Sequence, residues 1–220
     1  MNEAEKAPML ARAEAFARER MGADPTGHDF WHARRVGDVS RRIALAEGAD
    51  PFVAEFAGLL HDVDDEKSSG SRTAGPAAIR AWLDADGALD GATVEAVVGI
   101  AATLSFHGAK VADLPMSPEG RCVRDADRLD ALGAIGVARA FAYGGHADRP
   151  IHEPGSVPTL ADSHGAYRAA GATTVDHFHE KLLLLAGRTT TAEGRRLAAG
   201  RHAYMAGFLA RFEAEWRGEE

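Results

Sequence analysis

Hydrophobic positions recur along this chain with the spacing of helices. Ala and Leu are abundant, and no run of β-branched residues alternates with polar ones, a pattern that favours helices over strands. The clearest stretch places His32, Val36, Val39 and Ile43 roughly on one helical face. Helices are predicted over residues 4–21, 28–47, 51–61, 76–83, 93–104 and 123–141, and further helices within 174–217. The sequence therefore predicts an all-α fold.

Three of these helices have recognisable starts. Asp50 precedes Pro51, a typical pairing of an N-cap residue with proline at the first helical position. Ser117 and Pro118 repeat that arrangement before the helix that continues through residues 123–141. The run Thr190-Thr-Ala-Glu193 matches a capping box and predicts the start of a long helix that ends near Trp216.

The segment over residues 144–171 departs from the helical pattern. It contains Pro150, Pro154 and Pro158 together with several glycines, which deny it a regular helix. A loop this long in a compact domain is a lid, a binding loop or a disordered segment. We expect a mobile loop near the opening of a functional site. The alternative is a disordered segment on the side of the protein away from that site.

Size and composition indicate a single globular domain over residues 1–220. The 220 residues are 45% hydrophobic and 26% charged, which is typical of globular proteins. The formal net charge of −8 argues against binding to nucleic acid or to an anionic membrane, because both need a basic face. Cys122 is the single cysteine, and the N-terminal residues lack the apolar stretch of a signal peptide. We expect a soluble cytoplasmic protein.

Residues able to bind a metal occur at three places in the sequence. His32 lies within the second predicted helix, His61 and Asp62 follow the apolar end of the third, and Asp127 lies in an acidic run further along. Burying adjacent His and Asp side chains after a core helix is costly unless they are paired or bind a metal. Taken singly, each histidine could equally be an ordinary core or surface residue, and each aspartate could equally be an ordinary solvent-exposed acid.

The motifs around these residues resemble the HD-domain superfamily of metal-dependent phosphohydrolases. The resemblance rests on the order His32, His61-Asp62, Asp127 and on the surrounding sequence. The matching stretches are His28-Asp-Phe-Trp-His32, Leu60-His-Asp-Val-Asp-Asp65-Glu-Lys67 and Arg124-Asp-Ala-Asp-Arg-Leu-Asp130, with further similarity around Asp176–Lys181 and from Arg201 to Trp216. They are similar to a bacterial subgroup of which some members resemble nucleoside-triphosphate pyrophosphohydrolases.

This resemblance implies an HD-domain helical bundle with one divalent ion held by His32, His61, Asp62 and Asp127. Two imidazoles and two carboxylates suit Mn²⁺ best, with Fe²⁺, Co²⁺ or Ni²⁺ as alternatives, whereas Mg²⁺ prefers oxygen ligands. Binuclear relatives have additional histidines between the His-Asp pair and the last aspartate. This chain has only His107 there, which favours a mononuclear site. His107 is then expected to be a substrate-side or a structural residue.

The resemblance also implies catalytic and substrate-binding residues. Asp65 is expected to orient or deprotonate the attacking water, with Lys67 as a second catalytic residue. The residues expected to bind the substrate are Arg35, Arg128, Lys181 and His107. The expected partner is a small-molecule nucleotide, and a nucleoside triphosphate would give monophosphate and pyrophosphate. The alternatives are a nucleoside 5′-monophosphatase and a non-catalytic sensor that binds metal and nucleotide.

Overall fold

The described residues of this computed structural model are 2–22, 24–64, 70–71, 73–104, 111–160 and 173–219. Within these ranges the regular structure is helical and contains no strand, which confirms the predicted all-α fold. The main helices are α1 (Glu3–Met21), α2 (Phe30–Glu47), α3 (Pro51–Leu60), α4 (Ala74–Asp86), α5 (Gly91–Thr103), α6 (Pro118–Asp130) and α7 (Gly133–His146). The C-terminal part comprises α8 (Thr174–His177), a π-helical turn (Phe178–Leu182), α9 (Leu183–Leu185), a 3₁₀ turn (Ala186–Arg188) and α10 (Ala192–Trp216). None of the described helices has the length and apolar composition needed to cross a bilayer.

The chain forms two compact units. The first comprises Met1–Ser105 and Leu114–Asp127, and the second comprises Phe106–Asp113 and Arg128–Glu220. The largest fully buried side chains of the first unit are Met9, Ile43, Phe56, Leu59, Leu60, Ile79 and Leu83. Those of the second are Leu129, Leu132, Phe178, Leu185 and Met205. Each unit therefore has its own apolar core, and the expectation of one domain over residues 1–220 stays a prediction.

Helices α2 and α3 approach each other closely in the first unit. A Cβ atom on Gly37 would lie 3.1 Å from Cγ of Leu59 and 3.2 Å from the carbonyl oxygen of Glu55. The facing residue is Gly58, whose own Cβ would lie 3.0 Å from Oγ of Ser40. All three distances are tighter than ordinary packing, so a side chain at either glycine would force the helices apart.

The predicted helix over residues 123–141 was wrong in extent, because the chain breaks between α6 and α7. Leu132 has an extended conformation and Gly133 has a φ of +74°, a backbone angle that only glycine adopts without strain. Asp130 at the end of α6 pairs with Arg139 of α7 at 2.7 Å. The break turns the chain, and this ion pair links the two helices across it.

Other helix starts, those of α1, α2, α4, α5 and α10, differ from the sequence prediction by one or two residues, and in two of them the cap explains the difference. Helix α2 begins at Phe30 because Asp29 is its N-cap, with the carboxylate accepting a hydrogen bond from the backbone of His32 at 3.0 Å. Helix α10 is capped by Thr191 rather than Thr190, and the Thr191 hydroxyl accepts from the backbone of Gly194 at 3.1 Å. Because the third helical position is then glycine, the reciprocal half of a capping box is missing.

The segment predicted as a loop over residues 144–171 begins later than expected, since α7 continues to His146. Its described part is tied to the helical turns that follow it. Ser156 donates a hydrogen bond to the carboxylate of Asp176 at 2.6 Å, and the backbone of Thr159 donates to Glu180 at 2.9 Å. Residues 161–172 lie outside the described ranges.

Candidate metal centre

The four predicted metal ligands come together in the first unit. His32 is in the first turn of α2, His61 and Asp62 directly follow the last residue of α3, and Asp127 lies on α6. The N-cap at Asp29 fixes the first turn of α2 and with it the position of His32. Three separate segments thus supply donors to one place.

The donor atoms lie within a few ångströms of one another. His32 Nε2 is 3.2 Å from Asp62 Oδ2 and 3.5 Å from Asp127 Oδ1. His61 Nε2 is 3.5 Å from the same Asp62 oxygen and 3.8 Å from the same Asp127 oxygen. The two imidazole rings meet edge to face, with centroids 5.2 Å apart. Each imidazole nitrogen therefore faces both carboxylates.

A hydrogen bond fixes the orientation of the His61 ring. Its Nδ1 lies 2.8 Å from the carbonyl oxygen of Gly58. A carbonyl oxygen can only accept, so Nδ1 carries a proton, and Nε2 points into the cluster, where its lone pair becomes available to an ion once Nε2 loses its own proton. That Nε2 atom is buried and has no hydrogen bond to any described residue.

The imidazoles are at the bottom of the cluster and the carboxylates are nearer to solvent. The His32 and His61 side chains are 0% and 1% exposed, whereas those of Asp62 and Asp127 are 20% and 35% exposed. A ligand from solvent would therefore approach on the carboxylate side.

Burial and mutual charge shift the pKa values of these groups in opposite directions. Burial by itself lowers the pKa of His61, but the charges of Asp62 and Asp127 and the Gly58 carbonyl outweigh burial and raise it to about 9. Burial by itself raises the pKa of both carboxyls, and the neighbouring imidazoles outweigh it. The pKa of Asp62 is held well below its usual range, and that of Asp127 is lowered to about 2. Both carboxylates are therefore ionised at neutral pH.

This donor set fits a divalent transition metal. Metal–ligand bonds of about 2.1 Å place neighbouring donors roughly 3.0–3.4 Å apart in octahedral or tetrahedral sites, close to the 3.2–3.8 Å between these atoms. A buried imidazole nitrogen without a hydrogen bond is unfavourable by itself and becomes favourable when it binds an ion. Nitrogen and oxygen donors together suit a first-row transition metal.

His28 is a further residue of this centre, and it was not among the residues predicted from the sequence. Its Nδ1 lies 3.3 Å from Asp62 Oδ2, and its ring meets that of His32 edge to face with centroids 5.4 Å apart. His28, His32 and Asp62 form a second group with the spacing of metal ligands. The available signal was the recurrence of histidine four residues before His32 in the motif quoted above.

The turn after Asp62 is held by two contacts within the first unit. Asp64 has a φ of +48°, which is unfavourable for a residue with a side chain, and its carboxylate pairs with Arg20 of α1. Gly75 in α4 lies so close to the carbonyl oxygen of Val63 that a Cβ atom there would collide with it. These contacts fix the backbone directly beside the His-Asp pair.

The expected catalytic residues Asp65 and Lys67, and the expected substrate residue His107, lie outside the described residues. Their roles stay predictions. Arg35 is half-buried on α2, three residues after His32 and on the same side of the helix. Its role in binding substrate is likewise a prediction.

The other two expected substrate residues belong to the second unit. Arg128 is buried, and its guanidinium donates to the Arg188 carbonyl at 2.5 Å and to the Asp113 carboxylate at 2.6 Å. Lys181 is half-buried within the π-helical turn. The contacts of Arg128 give it a clear structural task, and substrate binding by either residue stays a prediction.

Comparison with known proteins identifies the family. The HD-domain model matches residues 30–132, a range that contains all four predicted ligands. YpgQ of Bacillus subtilis is 34% identical over 193 residues, which span 87% of this chain and 86% of YpgQ. This chain belongs to the HD-domain family. The resemblance inferred from the motifs is thereby confirmed.

Solved structures of similar proteins share the fold over nearly the whole chain. A Lactobacillus plantarum protein superposes with a TM-score of 0.83 at 34% identity, covering 96% of this chain and 98% of that chain. An HD-superfamily hydrolase from Bacillus thuringiensis superposes with a TM-score of 0.75 at 35% identity and the same coverage. YpgQ in complex with ADP superposes with a TM-score of 0.77 at 28% identity, covering 96% of each chain. The HD-domain match and the Bacillus thuringiensis hydrolase support a metal-dependent hydrolase.

Proposed function

We propose that this protein is a metal-dependent phosphohydrolase that converts a nucleoside triphosphate and water to the monophosphate and pyrophosphate. The observation that carries the proposal is the cluster of His32, His61, Asp62 and Asp127, whose donor atoms lie 3.2–3.8 Å apart across the imidazole–carboxylate pairs. Buried imidazoles beneath partly exposed carboxylates would hold an ion while leaving one side open to a phosphate and a water. An open side is what hydrolytic metal sites need.

We assign one divalent ion to these four residues, with Mn²⁺ as the first choice. Such an ion, when bound, supplies a Lewis acid that lowers the pKa of water and offsets phosphoryl charge. His61 keeps its Nε2 aimed into the site through its hydrogen bond to Gly58. Asp65 would accept the proton from the attacking water, and Lys67 would stabilise the negative charge that develops on the phosphoryl oxygens.

The nucleotide substrate is supported by the ADP complex of the relative YpgQ. The negative charge of the nucleotide's phosphates needs cations as well as a metal. We assign the binding of these phosphates to Arg35, Lys181 and Arg128, with His107 beside the substrate. Arg128 already holds Asp113 and the Arg188 carbonyl. Its contribution would therefore come from a fixed guanidinium rather than from a mobile one.

The experiment is a product assay on metal-stripped protein reloaded with Mn²⁺, Co²⁺, Ni²⁺ or Mg²⁺. Nucleoside mono-, di- and triphosphates are offered at equal concentration, and inorganic phosphate and pyrophosphate are measured separately. We expect pyrophosphate from triphosphates with Mn²⁺ and little turnover with Mg²⁺. Phosphate from monophosphates would establish the 5′-monophosphatase instead. Tight nucleotide binding without any product would establish the sensor.

A pair of carboxylate variants links the activity to the proposed centre. Asp62→Ala removes one of four ligands, and we expect it to lose both metal and turnover. Glu95→Gln is the matched control, because Glu95 is an exposed carboxylate of the same unit that pairs with Arg80. The control should keep both properties. Metal content in Asp62→Ala equal to that of the unmodified protein would overturn the ligand assignment.

A further inference from the structure

His28 lies beside the proposed centre without being part of the helix that carries His32. It immediately precedes Asp29, the N-cap of α2. Asp29 is extended, with φ −99° and ψ −179°, so its backbone directs the preceding residue away from the helical path. The resulting position brings His28 Nδ1 to 3.3 Å from Asp62 Oδ2.

The side chain of Asp62 is not oriented by a helix. Helix α3 ends at Leu60, so the aspartate lies in the turn beyond it. Its side chain is 20% exposed, and a carboxylate at such a position has several accessible rotamers. A hydrogen bond from a fixed donor would restrict it to one of them.

The contacts of one oxygen atom indicate what His28 does there. Asp62 Oδ2 lies 3.3 Å from His28 Nδ1, and it lies 3.2 Å and 3.5 Å from Nε2 of the two proposed ligands His32 and His61. We infer that His28 is a positioning residue, whose Nδ1–H donates to Asp62 and holds that carboxylate in the orientation needed to bind the ion. A protonated Nδ1 has no lone pair with which to bind the ion itself.

The hydrogen bond has a defined energetic consequence. Groups that orient a metal ligand from behind typically contribute about 10–100-fold to metal affinity. The inference rests on the metal site of the proposed function but not on the reaction, since a positioned carboxylate matters for binding even where no substrate turns over.

The test compares two substitutions by Mn²⁺ titration, with free Mn²⁺ measured by electron paramagnetic resonance. His28→Ala removes the donor, and we expect Mn²⁺ affinity to fall about 10–100-fold. His28→Asn places an amide N–H where Nδ1 was, and we expect its affinity to remain within a few-fold of the unmodified protein. His146→Ala is the control, because His146 is an exposed histidine at the end of α7, and it should bind Mn²⁺ normally.

Two results would overturn the inference. Unchanged affinity in His28→Ala would show that Asp62 needs no support from His28. Equal loss in both substitutions, accompanied by a changed visible spectrum of the Co²⁺-loaded protein, would make His28 a ligand instead. Thermal unfolding of each variant in chelator separates loss of folding from loss of the ion. Failure of the proposed function would differ from both results, because Mn²⁺ would bind as expected without any nucleotide being hydrolysed.

Discussion

A Cβ atom on Gly58 would lie 2.9 Å from the Cα atom of Gly37, so the backbones of α2 and α3 nearly touch where they meet. The same Gly58 offers its carbonyl oxygen to Nδ1 of His61. Close helix packing and the orientation of a candidate metal ligand therefore depend on one residue.

Gly58→Ala should destabilise the protein and weaken metal binding together. The added methyl meets backbone rather than a flexible side chain, and overpacking of this kind costs about 1–3 kcal/mol in the free energy of unfolding. Urea denaturation in chelator measures that loss, and Mn²⁺ titration measures the effect on His61.

Gly99→Ala is the control for this substitution. Gly99 lies in α5, and nothing comes within 4 Å of a Cβ atom built there. Its substitution should raise the unfolding free energy by up to about 1 kcal/mol, because alanine favours a helix more than glycine does. Equal stability changes in the two variants would contradict the close approach at Gly58.

Asp65→Asn should retain the metal and lose most of the turnover. An amide has nearly the shape of a carboxylate but cannot accept the proton of the attacking water, and losing a general base costs about 10²–10⁴-fold. Metal analysis and the pyrophosphate assay on one preparation measure both properties. Turnover within a few-fold of the unmodified protein would contradict the assignment of Asp65 as the general base.

Metal affinity should rise with pH from 6 to 8. Without metal the pKa of His61 is about 9, so its Nε2 carries a proton throughout this range, whereas Asp62 and Asp127 are already ionised. Binding must displace the His61 proton, so affinity should increase about tenfold per pH unit. Mn²⁺ titrations at three pH values measure the slope, and calorimetry in buffers of different ionisation enthalpy measures the proton release. A flat dependence would contradict proton displacement from His61.

The thiol of Cys122 should be inert in the folded protein. Cys122 is fully buried on α6, and burial, reinforced by the carboxylates of Glu47, Asp125 and Glu119, raises its pKa from 9.0 to about 12. Only the thiolate reacts with disulfide reagents. At pH 8 we expect the Cys122 thiol to react with a chromogenic disulfide only as fast as the protein unfolds. The immediate reaction of the protein unfolded in urea provides the reference. Fast reaction of the native protein would contradict the burial.

The raised pKa of Cys122 also has a consequence for stability. Above pH 9 the unfolded chain releases the thiol proton while the folded chain keeps it. The contribution of this group to folding is therefore complete below pH 9 and is lost as the pH rises toward 12. Cys122→Ala should show a shallower decline in unfolding free energy over this alkaline range.

Much of the fold followed from local signals. The start of α3 at Pro51 was correct, because an N-cap aspartate and a first-turn proline act within a few residues. The break before Gly133 was missed, because an isolated glycine within a helical pattern is compatible with either a continuous or an interrupted helix. Thr190 and Thr191 have the same chemistry, so only the backbone conformation could decide which of them caps α10.

The four residues that come together in the candidate centre could be predicted from the sequence, but their geometry could not. His61 and Asp62 are conspicuous in the sequence because a polar pair directly follows an apolar helix. No spacing rule connects them to Asp127, and that connection came from the resemblance to HD domains. The spacing of His28 and His32 suggests one helical face, but the helix begins only at Phe30, so that spacing does not give the position of His28. Its contact with Asp62 arises only when α2 packs against α3.

The donors of this centre come from α2, from the turn after α3 and from α6, and this arrangement makes an ion a thermodynamic crosslink. A ligand that binds only the folded chain stabilises it by about 2.7 kcal/mol when present at a hundred times its dissociation constant. The unfolded chain scatters these three segments and binds the ion poorly. The melting temperature should therefore climb with the logarithm of Mn²⁺ concentration, and chelators should lower it. For this protein, starvation for the metal would reduce resistance to heat and proteolysis as well as activity.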